Sequence, residues 1–297
     1  MRMPNIGISL KRNYYTPEAF AYRDYLESEG WSVQLDYEEL LSPENEITIL
    51  FLGFDPCWTK NKFKKVIHDF PSASTGAFPK IKNRIKRSVN RTPDGRIFFD
   101  DFVKQEYNFK DHTKSINISA GIDQLFFNKG ALTKEYDLVY SGAISGRNGI
   151  SIELNRLSNL GLKILIIGEV SKSFRDLFFS NKNVVFIGRV ERDKLPDLYR
   201  LARAGLNFIP NAYPYHFQSS IKVLEYLATG IGLVESRRIW AQEFSEKNQY
   251  QPLWLEDLKT KDDFDCFEFS EVDMLAFSWD SILKNANFNN FVSSLLP

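Results

Sequence analysis

Short unbroken apolar runs alternate with helical stripes along this chain, and their order predicts an α/β protein. Asn5 to Leu10 reads as a buried strand, Lys11 to Thr16 as a polar loop, and a helix starts near Pro17 with Thr16 as its cap. Gly30 ends that helix, Trp31 to Leu35 alternates like a strand, and Ile47 to Phe54 is apolar enough for a central one. This is the opening of a βαβ arrangement. Lys64 to Phe70 predicts a further strand ending in His68 and Asp69, and Ile97 to Phe99 and Ile116 to Ile118 predict the last short strands of the first half.

The second half repeats one order more regularly. Tyr136 to Gly142, Leu162 to Gly168 and Val184 to Gly188 are strands that run into glycine, and the helices Ile150 to Leu160, Phe174 to Phe179 and Leu195 to Ala204 follow them in turn. Such an order predicts a parallel sheet with its ligand loops at the carboxyl edge. Leu206 to Ile209 is another buried strand, and the loop Pro210 to Gln218 leads from it into a helix ending at Gly230. In that helix Ile221, Leu224, Leu227 and Ala228 form the core stripe, whereas Lys222 and Glu225 share another face. Ser219 or Ser220 suits the N-cap, and Gly230 the left-handed position after the end. Backbone N–H groups, two hydroxyls and a lysine at one helix start suit a phosphate or diphosphate. Glu225, further along, can accept hydrogen bonds from sugar hydroxyls.

Composition narrows the class. The chain has 297 residues, long enough for two domains, with 43% hydrophobic and 26% charged residues, as in folded proteins. The formal net charge is zero, so no global field favours nucleic acid. The charges are nevertheless segregated: Lys60 to Arg96 holds eleven Lys or Arg against two acids, and Glu256 to Asp273 holds eight acids against two lysines. Within the basic stretch, Lys80, Lys82, Arg84, Lys86 and Arg87 surround a stripe of Ile81, Ile85 and Val89. That helix either turns its stripe to the core or lies on an anionic membrane surface. Cys57 and Cys266 form no metal or redox spacing, which favours a reducing compartment without a structural disulfide. No apolar run reaches the roughly 18 residues of a membrane span, and the N-terminus carries no signal-peptide pattern. The expected location is cytoplasmic, peripheral at the inner face of the membrane where the basic segment docks.

Tyr140-Ser141-Gly142, Leu165 to Gly168, Asn183 to Val190, Leu195 to Tyr199 and Lys222 to Gly230 together resemble the nucleotide-sugar half of GT-B glycosyltransferases, most like glycosyltransferase family 4. Phe277-Ser278-Trp279-Asp280 resembles the closing segment of the same family. The resemblance implies two Rossmann-like domains facing a cleft: residues 1–128 for the acceptor, 129–276 for the nucleotide sugar, and a helical segment, 277–297, returning to the first domain. It assigns Lys222 to the donor diphosphate, Glu225 to the ribose, and Arg189 and Val190 to the nucleobase edge. Gly142 and His216 fall in the donor loops, and Arg147 is the nearest match to the family's basic residue after the first glycine. The chain departs from the family at Phe217, where a glutamate usually contacts the sugar, and at Gly232, which replaces a proline.

The chemistry expected is transfer of a sugar from a nucleoside diphosphate donor to a growing bacterial surface glycan or lipid-linked oligosaccharide. Lys222, Arg147 and the backbone around Ser219 and Ser220 would stabilise the leaving diphosphate without metal or cofactor. His68 and Asp69 are the candidate base pair in the acceptor half. The run Asp262-Asp263-Phe264-Asp265 reads as a solvated acidic turn rather than a metal site. Two other readings use the same residues: a sugar-nucleotide epimerase or hydrolase of this fold, and a non-catalytic nucleotide-sugar-binding subunit.

Overall fold

Parallel pairing organises both halves of the chain, in a computed structural model that describes residues 3–12, 16–51, 55–60, 62–74, 76, 78–127, 130, 133–142, 144, 149–210, 213 and 215–296. Met1–Gly121 with Phe277–Pro297 form one unit, and Ile122–Ala276 the other.

The first unit contains β1 (Asn5–Leu10), α1 (Pro17–Ser28), β2 (Ser32–Tyr37), β3 (Ile47–Phe51), β4 (Val66–Phe70), α2 (Pro79–Val89), β5 (Gly95–Phe98), α3 (Asp101–Tyr107) and β6 (Lys114–Asn117). Its sheet runs β2-β1-β3-β4-β5-β6, every pair parallel. Ile6, Ile8, Ile49, Ile67 and Ile97 pack against Ala19, Tyr22 and Leu26 of α1 in one core. The unbroken apolar strands are what a sheet covered on both faces requires.

The second unit continues with β7 (Tyr136–Ser141), α4 (Ile150–Asn159), β8 (Ile164–Ile167), α5 (Lys172–Asp176), β9 (Val184–Gly188), α6 (Leu195–Arg200), β10 (Ala202–Asn207), α7 (Ile221–Ala228), β11 (Gly232–Glu235), α8 (Ile239–Lys247), β12 (Leu253–Trp254) and α9 (Lys261–Asp265). Its sheet order is β12-β11-β10-β7-β8-β9, again all parallel. Leu138, Tyr140, Ile164, Leu206 and Val234 meet Leu154 and Leu157 of α4 in its core.

The last helices, α10 (Trp279–Asn285) and α11 (Phe288–Ser293), return to the first unit. Leu283, Phe288 and Val292 join the α1 core, and the Trp31 indole donates to Asn289 Oδ1 at 2.9 Å. A Cβ at Gly121 would stand 2.3 Å from the Trp279 ring, so the absence of a side chain there makes room for the docked helix.

Three local expectations change. The α6 helix stops at Arg200 and β10 already begins at Ala202, because Ala202, Ala204 and Gly205 form a thin strand between β7 and β11. β11, β12 and α8 follow the site helix, completing the sheet beyond the last strand expected from the apolar pattern. The basic helix α2 does not turn its stripe to the core. Ile81 and Ile85 are 55% and 51% exposed, and Phe78 is 74% exposed. The buried residue of α2 is Asn83, which accepts from the Ser74 N–H at 3.0 Å and donates to Glu106 at 3.3 Å. Arg87 reaches the Asn108 carbonyl at 3.1 Å, so a polar face of α2 docks while Ile81 and Ile85 remain outside and Val89, at the end of the stripe, is half-buried.

Gly205 is where the second sheet tests its packing. A Cβ there would lie 2.1 Å from Tyr226 Cδ2 on α7, a ring that is itself fully buried. Gly205→Ala is expected to lower stability by about 1–3 kcal/mol, the usual cost of overpacking a filled core. Urea unfolding would measure it, and an unchanged midpoint would mean that α7 does not press on β10.

Candidate functional site

Counted from β7, the second sheet has the strand order 3-2-1-4-5-6, and its order reverses between β7 and β10. Ligands of open α/β sheets bind at the carboxyl ends of the strands beside such a switch point. Gly142 ends β7 there, and the loop leaving β10 leads into α7.

Glycine is required at this edge by geometry. Gly142 has φ +114° and Gly168 has φ +142°, values that side chains with a Cβ rarely adopt. A Cβ at Gly168 would sit 2.5 Å from the Gly142 carbonyl oxygen, and one at Gly142 would sit 2.6 Å from Lys222 Nζ. The backbone is continuous across these ends: Gly142 N–H donates to Ile167 O at 2.9 Å, and Gly168 N–H to Gly188 O at 2.8 Å. Lys222, half-buried on the first turn of α7, holds its ammonium beside Gly142 and 4.7 Å from the centre of the Tyr140 ring.

Ser220 has the extended backbone of an N-cap, but its hydroxyl does not cap α7. It donates instead to Asn207 Oδ1 at 3.0 Å. The first turn of α7 therefore has no serine cap: Val223 N–H turns back to the Ser220 carbonyl at 3.1 Å, and the positive end of the helix lies beside the Lys222 ammonium. The Ser219 hydroxyl is buried at the same helix start and has no protein partner among the described residues.

Glu225 lies one turn further along and is only 4% exposed. Arg192 Nη1 donates to its Oε1 at 2.9 Å, and the Tyr199 hydroxyl donates to its Oε2 at 3.3 Å. Burial pushes the Glu225 carboxyl above its ordinary value, and Arg192 opposes that rise. The other side of Arg192 is fixed by Asp123 at 2.5 Å, and its guanidinium covers the Phe126 ring at 4.9 Å. The Ser141 hydroxyl bonds Tyr199 at 2.7 Å, while Tyr226 accepts from the Ser141 N–H at 3.0 Å. The end of β7 and the glutamate of α7 thus share one hydrogen-bonded network. Arg192 and Tyr199 were not singled out from sequence, since their roles depend on contacts 33 and 26 residues away in the chain.

The loop before α7 is held from below. Glu235, at the end of β11, is fully buried and paired with Arg238 at 3.2 Å, and Asn207 donates to it at 2.7 Å. Arg238 donates to the carbonyls of Tyr215, at 3.1 Å, and Gln218. His216 packs its ring 4.2 Å from that of Phe217, the residue standing where the family pattern has a glutamate.

The remaining expected residues spread out. Arg189 is exposed and Val190 half-buried just after β9. Arg147 lies outside the described residues. In the first unit β4 separates His68 from Asp69, because neighbours on a strand face opposite sides of the sheet. His68 is 3.5 Å from Asp55, while Asp69 accepts from the Tyr22 hydroxyl at 3.0 Å within the α1 core. Burial pushes the Asp69 carboxyl well above the usual range, and Glu18 adds to the rise. The acidic run forms α9, where Thr260 and Asp263 make a capping box and Asp265 meets Lys261 at 3.2 Å. Among the described residues no group of three or more His, Cys, Asp or Glu could hold a metal ion.

No protein-family model matches the sequence. No curated protein matches it either. Solved structures do match, over nearly the whole chain. AviGT4, a glycosyltransferase involved in avilamycin A biosynthesis, is 12% identical with a TM-score of 0.65, covering 99% of this chain and 98% of its own. HepE from Anabaena, in complex with UDP and glucose, is 13% identical with a TM-score of 0.63, covering 99% and 97%. The T4 phage β-glucosyltransferase, in complex with its UDP-glucose substrate, is 14% identical with a TM-score of 0.57, covering 99% of both chains. The likeness carries the fold, which is GT-B with its two six-stranded parallel sheets.

Glu235 gives this region a pH signature. Burial raises its carboxyl from 4.5 to about 7, against the pull of Arg238 and Asn207. The folded chain therefore keeps a proton that the unfolded chain has released, and the stability from this group is full below 4.5 and lost as pH rises through about 7. Compared with Glu235→Gln, the natural chain is expected to lose roughly 3 kcal/mol more over that range. Urea titrations at a series of pH values would show it as a steeper slope, and parallel slopes would refute the assignment.

Proposed function

We propose that this protein is a glycosyltransferase that takes a sugar from a nucleoside diphosphate donor, with the diphosphate at the start of α7. The observation that carries this reading is the pairing of Lys222 with an uncapped helix N-terminus against the strand-end glycines of the switch point. A departing diphosphate gains negative charge as the glycosidic bond breaks, and an ammonium with preorganised backbone N–H groups offsets it at no reorganisation cost. These groups supply the stabilisation without calling on a metal ion. Glu225, fixed by Arg192 and Tyr199, would accept from the ribose hydroxyls with its remaining lone pairs, and the backbone at Arg189 and Val190 would border the base. AviGT4 and HepE, whose folds this chain shares, support the class, and the UDP in HepE supports the donor.

The acceptor in this reading is a growing glycan or lipid-linked oligosaccharide at a membrane face. Phe78, Ile81 and Ile85 point outward from α2 and are accompanied by the exposed Lys80, Lys82 and Arg84. Lys86 and Arg87 are half-buried, and burial lowers the Lys86 ammonium from its ordinary value. An outward apolar stripe among cations suits anionic headgroups over a shallow apolar layer. No helix among the described residues is long and apolar enough to cross a membrane.

Calorimetry against UDP, GDP, CMP and TDP, followed by donor turnover with and without glycolipid acceptors, tests the donor reading. Lys222→Met is expected to weaken the nucleotide that binds by about tenfold or more, or at least ~1.4 kcal/mol, with the fold intact. Equal affinity in the variant would remove Lys222 from the site. Sugar turnover that needs no acceptor would favour the epimerase or hydrolase reading, and binding with no turnover would favour a non-catalytic subunit.

For the membrane face, each exposed cation is worth about 1 kcal/mol near an anionic surface. Neutralising Lys80, Lys82 and Arg84 together is expected to release the protein from phosphatidylserine vesicles in a sedimentation assay. Replacing Ile81 and Ile85 by serine is expected to weaken binding further at high salt, where charge attraction is screened. Sedimentation unaltered by both changes would leave α2 without a lipid role.

A further inference from the structure

We propose that the buried Glu235–Arg238 pair is the positioning device of the donor loop, setting both its path and the uncapped state of α7. This rests on the donor reading above and names two residues outside the contact set given there.

Glu235 and Asn207 are register partners on β11 and β10. Asn207 is the relay between the pair and the helix: its amide donates to Glu235 Oε1 at 2.7 Å, and its carbonyl accepts from the Ser220 hydroxyl at 3.0 Å. An amide has one donor side and one acceptor side, so the Glu235 carboxyl fixes which way Asn207 faces. With the acceptor side turned to Ser220, that hydroxyl is drawn away from the first turn of α7. The hydroxyl then covers no N–H of the first turn, where Val223 N–H turns back to the Ser220 carbonyl at 3.1 Å, and the positive end of the helix is left without the serine oxygen that would repel an anion.

Arg238 acts on the other end of the same loop. Its guanidinium takes Glu235 on one side and the Tyr215 and Gln218 carbonyls on the other. It also lies 4.8 Å from the Trp240 ring, and the Trp240 N–H donates to His216 O at 3.1 Å. Residues 215, 216 and 218 are thereby tied by their backbone carbonyls to the segment that follows β11. A planar guanidinium can hold a carboxylate and two carbonyls at once, which an ammonium cannot reproduce in the same geometry.

Packing alone would not call for this arrangement. A buried ion pair is replaceable by apolar residues of similar volume with little loss of stability, whereas removing one partner leaves a buried charge uncompensated. Stability and loop placement can therefore be separated by experiment, through Arg238→Met, Arg238→Lys and the double variant Glu235→Gln with Arg238→Met.

Above pH 7 the double variant is expected to recover a thermal midpoint above that of Arg238→Met, since without Arg238 the Glu235 carboxyl must either stay charged and unpaired or take up a proton at a cost in stability. Its affinity for the nucleoside diphosphate that binds the natural protein is expected to remain weaker by about tenfold or more. Backbone hydrogen exchange should rise at residues 216–222 and stay unchanged in β7 and β8. Arg238→Lys, which keeps the charge, is expected to show the same loss of affinity. If the double variant, folded and stable, binds the nucleotide as the natural protein does, the pair is merely structural and the proposal is wrong. If the natural protein binds no nucleoside diphosphate, the donor reading falls and the positioning role falls with it. Lost affinity in Lys222→Met together with full affinity in the double variant would retain the donor reading and reject the positioning role alone.

Discussion

The site depends on how closely backbone approaches backbone at the ends of β7 and β8. A methyl group at Gly168 would stand 2.5 Å from the Gly142 carbonyl, and overpacking of that kind costs about 1–3 kcal/mol where nothing can yield. With both side chains absent, the strand ends close up and leave space at Gly142 for the Lys222 ammonium. Gly205 does the same on the adjacent strand, letting Tyr226 settle against β10 and drawing α7 onto the sheet. A charge, a helix end and a strand end meet because three small residues remove what would keep them apart.

Much of this was legible from sequence because each feature leaves a short-range mark. Strands running into glycine, Lys222 and Glu225 on α7, and the closing segment from Phe277 all announce themselves within a few residues. What was hidden depends on distant partners. The periodicity of α2 shows that Ile81 and Ile85 share a face, but the outward direction of that face is decided by Asn83 meeting Ser74 and Glu106. Ala202 and Ala204 favour helix in isolation, and the sheet overrides them to form β10. Glu235 and Arg238, three apart, have the spacing of an ordinary surface pair, and nothing local reveals that both are buried. His68 and Asp69 are a different case, since strand parity alone already turns adjacent side chains to opposite faces.

At 12–14% identity to folds of the same kind, little of the shared architecture is written in particular side chains. What the chain shares with them is the fold, with its two six-stranded parallel sheets. Along its edge this chain carries contacts of its own: the rings of His216 and Phe217 lie 4.2 Å apart, Asn207 donates to Glu235, and Arg192 donates to Glu225.

The return of α10 and α11 has a consequence for the chain as an object to be cut. The second unit is one continuous segment inserted into the first, which is sequence-discontinuous and draws Leu283, Phe288 and Val292 of its core from the far end. Deleting the last twenty or so residues would therefore not trim a tail but open the α1 core. The insert is a single stretch of chain between its two junctions, whereas its host is made of two stretches, ending at residue 121 and resuming at residue 277, that meet only in the folded core.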